Sequence, residues 1–305
     1  MRNVKRDTTE GLESELPRPV LGPYTAAQIE FAREAWPMRA AEELRSAWIF
    51  RALTRAAQRI AMADPWPERF ARTTHDEIRH ARLCVAVGAR LGAPSPRYDM
   101  RPVRARLATL ADPRVRAASL LLVEVAIGET ISMCLFRAGR RAAIEPLSRA
   151  ALASILRDEA RHQRLGWEGL AALWPELGAD RRDEIQREAA RGLAACERHV
   201  AVPALRWLES GRPFDGAYAA LGVIDPRERV ETFYFAVERL IVPRLTRLGL
   251  DGAAAWRDRY VQSREDRHGA FRAVTLVAPT IRSTSDEKLS AMELRTNLGR
   301  AHAPT

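Results

Sequence analysis

His75-Asp-Glu-Ile-Arg-His-Ala-Arg-Leu83 and Arg157-Asp-Glu-Ala-Arg-His-Gln-Arg-Leu165 are two copies of one pattern, Asp-Glu-x-Arg-His, set 82 residues apart from Glu77 to Glu159. On a helix, residues i and i+3 lie on one face about a turn apart. Glu77 with His80, and Glu159 with His162, can therefore each present a carboxylate and an imidazole to the same ion. One Glu-x-x-His is a weak signal, because solvated helix faces produce many. Two copies that share the flanking Asp and Arg are a stronger one. They are also bordered by apolar positions, Leu83, Val85 and Val87 in one case and Leu165 and Leu170 in the other, which points to burial.

Outward from these motifs the chain reads as helices. Thr25 is a helix cap before AAQIEFAREAW, and Pro37 restarts or kinks a first helix that runs to about Met62. Pro65 and Pro67 mark a turn. The second helix carries the first motif and ends near Gly92. The segment APSPRYDMRPVRARLATLADP is broken by Pro and reads as a long crossover with one short helical piece. A third, very apolar helix begins near Pro113 and holds Glu124 and Glu129. Acids of that kind are expensive in lipid, so it reads as a buried core helix and not as a membrane span. A short link near Gly139 leads to the fourth helix, which carries the second motif and closes at Pro175. Connections in the order short, long, short are those of a bundle made of two helical hairpins joined by one crossover.

The expected fold is therefore all-α, a four-helix bundle over residues 25–175, with a helical extension over 176–273. Residues 1–24 and 274–305 read as flexible tails. Hydrophobic residues make up 47% of the 305, enough for a sizeable core. The net charge of +10 comes mostly from Arg. It fits either solvated helix faces or an acidic partner. The arginines are not interleaved with aromatics as a nucleic-acid surface requires. Three scattered cysteines, Cys84, Cys134 and Cys196, form no CxxC pair and fit a reducing cytoplasm. The N-terminus shows no apolar run of a signal peptide.

A two-metal carboxylate site takes one further Glu from each remaining helix. The first helix offers Glu42 and Glu43, the third Glu124 and Glu129. Glu42 and Glu124 each stand 35 residues before a motif glutamate. Glu43 and Glu129 share a local repeat instead, with Ser46 and Ser132 at +3 and Phe50-Arg51-Ala52 matching Phe136-Arg137-Ala138. The repeat favours Glu43 and Glu129, and the other pair stands as alternative ligands or as outer partners. Four carboxylates and two neutral imidazoles balance two divalent cations, and such hard donors suit iron or manganese better than zinc. Ligand histidines donate their second N–H to a carboxylate, so Asp76 and Asp158 are each expected to reach the histidine of the opposite motif. Arg79 and Arg161 are candidates for holding a ligand carboxylate. His199 has no carboxylate at a bridging offset and reads as an ordinary core or surface residue. No phosphate-binding loop or nucleophile elbow is present.

The paired motif with flanking glutamates resembles the di-iron carboxylate proteins of the ferritin-like superfamily. Among these are ribonucleotide reductase small subunits, acyl-carrier-protein desaturases, bacterial multicomponent monooxygenases and arylamine N-oxygenases. The runs DEIRHARLC, IGETIS and DEARH followed by GW also resemble a group of uncharacterised bacterial ferritin-like proteins. The resemblance spans roughly residues 35–175. It implies Glu43, Glu77, His80, Glu129, Glu159 and His162 as ligands of two iron ions, with manganese or a mixed pair as the variant, and Glu77 and Glu159 bridging or chelating. It implies dioxygen as co-substrate, a small-molecule or carrier-bound substrate, and an external electron donor such as a ferredoxin or reductase. A homodimer is a further expectation, and neither nucleic acid nor a membrane is expected as a partner. The function implied is a non-haem dimetal oxygenase or oxidase. The alternative is a metal-binding, ferroxidase or stress protein with no organic substrate. Three departures narrow the field. Ferritins carry a single Glu-x-x-His. Rubrerythrins have an extra Glu where this chain has Ala126. Arylamine N-oxygenases have an added His where it has Ile155.

Overall fold

A computed structural model describes residues 16–101, 112–261 and the backbone of 280–282. Helix α1 (Ala26–Arg59) starts at a capping box, in which the Thr25 hydroxyl accepts from Gln28 N–H and the Gln28 side chain accepts from Thr25 N–H at 2.8 Å. Pro37 lies inside this helix, which continues through it without a restart. Helix α2 (Trp66–Arg90) follows a short turn. Helix α3 (Pro113–Ala142) is capped by the Asp112 carboxylate. Helix α4 (Pro146–Leu173) is capped by Glu145, which also accepts a bond from Val20 N–H.

These four helices form the bundle. α1 packs on α2, α3 on α4, and α2 on α4, while α1 also meets α3. The buried stripe of α2 runs Phe70, Thr73, Glu77, His80, Cys84, Val87, and that of α4 runs Ile155, Glu159, His162, Gly166, Gly169, Leu173. Both have the three-and-four spacing of a core-facing helix. The motif residues thus sit on the core side of the bundle, within a line of apolar positions.

Helix α3 is irregular in its middle. Its hydrogen bonding widens to a π-helix over Leu120–Ile127 and returns to α from Gly128. This stretch is held from two sides by glycines. A Cβ on Gly166 of α4 would lie 2.6 Å from Ala126 N, and one on Gly192 would lie 2.7 Å from a Val123 methyl. Only residues without a side chain admit α3 so closely. By length and composition α3 could cross a membrane, but 78% of its most apolar window is buried by neighbouring helices.

The extension begins with α5 (Ala179–Glu209), which contains Gly192. Helix α6 (Gly216–Ala220) packs on α1. Helix α7 comprises Pro226–Phe235, a second π stretch Ala236–Ile241 and Val242–Leu248. α5 and α7 pack on each other and both cover α3, and α8 (Gly252–Arg257) rests on α5.

Two expectations about the chain ends need correction. Residues 16–24 are packed: Leu16 is buried and Arg90 donates to the Leu16 and Pro17 carbonyls. The extended PRYDM segment pairs β1 (Arg97–Asp99) antiparallel with β2 (Thr280–Arg282), in the register Tyr98 opposite Ile281. The alternating, Gly-free character of both short runs permits this ladder, although neither shows the hydrophobic periodicity that marks a longer strand. The expected tails at 1–15, 274–279 and 283–305, the helical piece of the crossover and residues 262–273 lie outside the described residues.

Candidate metal centre

The two motifs converge at the middle of the bundle. One ligand atom from each of Glu77, His80, Glu159 and His162 falls within a sphere in which all four lie within 4.8 Å of one another, and all four residues are buried. His80 Nδ1 stands 3.3 Å from Glu159 Oε1 and 3.5 Å from both a Glu77 and a Glu43 oxygen. His162 Nδ1 stands 2.8 Å from Glu77 Oε1 and 3.9 Å from Glu159 Oε1. The two imidazole rings are 5.6 Å apart. Glu129 arrives from α3, buried, with its carboxyl in hydrogen-bond reach of Glu159. All six residues named from the motifs and the local repeat therefore meet at one place.

The rival glutamates are elsewhere. Glu42, one residue and about 100° around α1 from Glu43, faces α5, where His199 Nε2 approaches it at 3.6 Å. Glu124 lies within the π stretch and is paired with Arg45 of α1, both side chains buried. His199 has no carboxylate at a bridging offset on its own helix, and its partner Glu42 comes from another one.

The outer carboxylates cross between motifs. Asp158 Oδ2 is 3.1 Å from His80 Nε2, and Asp76 Oδ2 is 3.3 Å from His162 Nε2. Each imidazole has Nε2 turned to an Asp and Nδ1 turned to the glutamates. That fixes which nitrogen is free to bind an ion. The arginines hold these aspartates and not the inner glutamates: Arg79 bonds Asp158 and Ser154, and Arg161 reaches Asp76 and Asp158 at 2.9 Å each.

The electrostatics are those of a site built for cations. Glu77 Oε1, His80 Nδ1, Glu159 Oε2 and His162 Nδ1 are buried without a hydrogen-bond partner, four such atoms gathered in one cluster. An unpaired buried ion costs several kcal/mol, more than the roughly 1.5–3 kcal/mol returned by burying one large apolar side chain. Crowding of buried carboxylates and imidazoles raises the affinity of several of them for protons. Burial, with Glu77 and Glu159 nearby, pushes the Glu43 carboxyl up to about 8 against the pull of His80. Burial and the same carboxylates raise Glu129 well above the usual range. Burial works against the charged forms of His80 and His162, but their carboxylate contacts prevail. His80 is raised far above its ordinary value, and His162 is pushed up to about 10. Burial would raise Glu77 too, yet His162 and His80 hold it low.

Several participants were missed in the sequence. Thr130, fully buried beside Glu129, donates to the Ala126 carbonyl and accepts from Trp167 Nε1 at 3.1 Å and Gln163 Nε2 at 3.3 Å, tying α3 to α4. Arg45 and Gly166 have structural roles that only the packing reveals.

No protein-family model matches the chain, and no curated protein does. Among solved structures it is similar to Protein 19 with aldehyde deformylating oxidase activity from Synechococcus. The TM-score is 0.52 at 19% sequence identity, over 78% of this chain and 98% of that one. Helical content, bundle topology and this likeness agree that the chain has the ferritin-like helical fold, with a buried Glu/His cluster able to hold metal ions at its centre.

Proposed function

We propose that the protein is a non-haem dimetal oxidoreductase, an oxygenase or oxidase that uses dioxygen to oxidise a small organic substrate. The observation that carries this reading is the buried cluster of Glu77, His80, Glu159 and His162, with its partnerless inward-facing atoms and with the buried Glu43 and Glu129 carboxyls beside it. Four glutamates and two neutral histidines compensate two divalent cations, and the donors are hard, which favours iron, with manganese or a mixed pair as the variant. Glu43, Glu77, His80, Glu129, Glu159 and His162 would hold the two ions. When bound, such a pair supplies redox chemistry toward dioxygen. The chain does the rest. Asp158 and Asp76 keep each imidazole oriented, Arg79 and Arg161 keep the aspartates ionised and in place, and the apolar stripes of α2 and α4 exclude water. The oxidase activity of the Synechococcus neighbour on the same fold supports an oxidative role. The three cysteines, none of them in a disulfide, suit a reducing cytoplasm.

The reading is tested by anaerobic reconstitution with ferrous iron, metal analysis and measurement of oxygen uptake with candidate organic substrates. Two ions per chain with substrate-dependent uptake supports it. Two ions per chain with uptake that ends once the iron is oxidised, and no organic product, would replace it with a ferroxidase.

A further inference from the structure

The extension helices α5 and α7 pack on α3, and α6 packs on α1. Between this layer and α1 the side chains are not sealed. Glu42 of α1 and His199 of α5 face each other at 3.6 Å, and their side chains are 36% and 26% exposed. Arg39 of α1 and Arg229 of α7 are partly exposed as well. These four residues line a cleft along the side of α1. It adjoins the metal centre: Arg39 stands four residues before the candidate ligand Glu43, one turn or about 6 Å along the same side of the helix.

Two guanidinium groups meet in this cleft without an anion of their own. Arg39 is held in place: it donates to the Gly222 carbonyl at 3.0 Å and lies 4.5 Å from the centre of the Trp36 ring and 5.7 Å from that of Phe136. Its contacts fix the group but supply no countercharge. Arg229 makes no side-chain hydrogen bond or ion pair among the described residues, yet it lies near enough to Arg39 and Glu42 to feel both charges. Burial, with Arg39 beside it, pushes Arg229 down to about 10 against the pull of Glu42. Burial lowers Arg39 too, although Cys84 and Glu43 pull it up. Glu42 is engaged by His199, and Arg45 nearby is balanced by Glu124. Apart from the metal ligands, that leaves two positive groups against one carboxylate. Part-buried charge of this kind is costly until an anion meets it, and one negative charge completes the balance.

We propose that Arg39 and Arg229 bind the carboxylate of a small organic acid, and that this acid is the substrate presented to the metal centre. The proposal rests on the dimetal reading above and names its substrate class. A guanidinium donates to a carboxylate through a planar fork, which fixes orientation as well as charge. Arg39 is already oriented by Gly222 and Trp36, so little side-chain freedom is lost when the anion binds. With its head group held one turn from Glu43, the remainder of the acid has Phe136 on one side and the metal ligands on the other. A monoanion suits the cleft better than a phosphate ester, whose second negative charge would face Glu42 and the ligand glutamates unbalanced.

The test uses the full chain, both metal-free and loaded with Mn²⁺, and three probes of one shape: hexanoate, its neutral amide hexanamide, and hexyl phosphate. Each is titrated by calorimetry into the wild type, into Arg229→Gln, and into Arg227→Gln, whose exposed arginine lies on the same helix. Metal content and circular dichroism are checked for each. The expected result is that hexanoate binds the wild type at least about tenfold more tightly than hexanamide does. Arg229→Gln should lose at least about tenfold in hexanoate affinity, with or without Mn²⁺, and less than about twofold in hexanamide affinity. Arg227→Gln should change neither by more than about twofold. If Arg229→Gln does not fold, Arg229→Lys carries the comparison, with a smaller loss for hexanoate and none for hexanamide. Absence of hexanoate binding, or equal affinity for hexanoate and hexanamide, overturns the proposal. So does hexanoate binding that needs Mn²⁺ and is unchanged in Arg229→Gln, which would place the anion on the metal instead. Tighter binding of hexyl phosphate, lost in Arg229→Gln, overturns the carboxylate as the class recognised. If two metal ions bind but Arg229 does not matter to hexanoate, the acid site fails while the dimetal reading stands. If no metal binds and hexanoate still depends on Arg229, the site for the acid stands and the dimetal reading fails.

Discussion

Loading the centre with metal should release protons, and the structure names the groups that give them up. Near neutral pH the metal-free cluster keeps His80 and His162 protonated and Glu43 protonated with its pKa at about 8, while burial and the neighbouring carboxylates raise Glu129 well above its usual range. A ligand must lose its proton before it binds. If all four are ligands, filling both positions at pH 7 expels about three protons from His80, His162 and Glu43 together with whatever proton the raised Glu129 carboxyl carries, and the product of the two binding constants rises steeply with pH, by about 10³ or more per pH unit below about pH 8. For His162 alone, with its value at about 10, deprotonation at pH 7 costs about 4 kcal/mol that the metal must offset. The assay is anaerobic calorimetric titration with Mn²⁺ or Fe²⁺ in buffers of different ionisation enthalpy, which yields the proton count directly. Above about pH 8 the count should drop by one as Glu43 ionises by itself. Release of fewer than one proton, or affinity that does not change between about pH 6 and 8, would refute the assignment of these groups as protonated occupants of the metal positions.

Further outcomes follow from the same geometry. Glu43→Ala should lose at least one of the two ions in metal analysis, whereas Glu42→Ala should retain both; the opposite pattern would exchange their roles. Asp158→Asn should weaken metal binding by roughly 10–100-fold through the loosened His80 orientation, measured by competition with a chelator. Arg45→Met should lower stability because it takes the guanidinium from the buried Glu124 carboxylate, while Arg45→Met/Glu124→Leu should recover much of that loss in denaturant titration. In the metal-free protein the raised values of Glu43 and His162 contribute stability that is fully present below their unfolded values, about 4.5 and 6.5, and is lost as pH rises through about 8 and about 10. The melting temperature of the metal-free form should therefore fall over that window, and that of the loaded form should fall less.

The paired motif made most of the bundle legible. Two helices with glutamates and histidines on their apolar stripes have few ways to satisfy those groups, and the short, long, short connections order the four helices around them. The local repeat Glu-x-x-Ser with Phe-Arg-Ala indicated Glu43 and Glu129 because equivalent positions on two hairpins are likewise equivalent in the bundle. What remained hidden depends on contacts between distant segments. Arg45 and Glu124 are 79 residues apart, and His199 meets Glu42 only because α5 lies against the bundle. The π stretch in α3 leaves no hydrophobic period of its own, since Leu120–Ile127 is apolar apart from Glu124 and buried on every side. Its indirect trace is Gly166, one turn past His162, where a side chain would strike the α3 backbone. Arg79 and Arg161 are candidates from sequence for holding a ligand carboxylate or for a solvated surface role; the inner glutamates are enclosed by the bundle, and the guanidinium groups stop at the aspartates on its rim.

The central claim, a pair of metal ions held by two Asp-Glu-x-Arg-His motifs, is tested most directly by elemental analysis of the protein after anaerobic reconstitution with ferrous iron and removal of the excess. About two irons per chain in the wild type, falling to near zero in Glu77→Ala and Glu159→Ala variants that remain folded, is the predicted result. A folded wild-type protein that retains no iron, and no manganese when that metal is supplied instead, would contradict it.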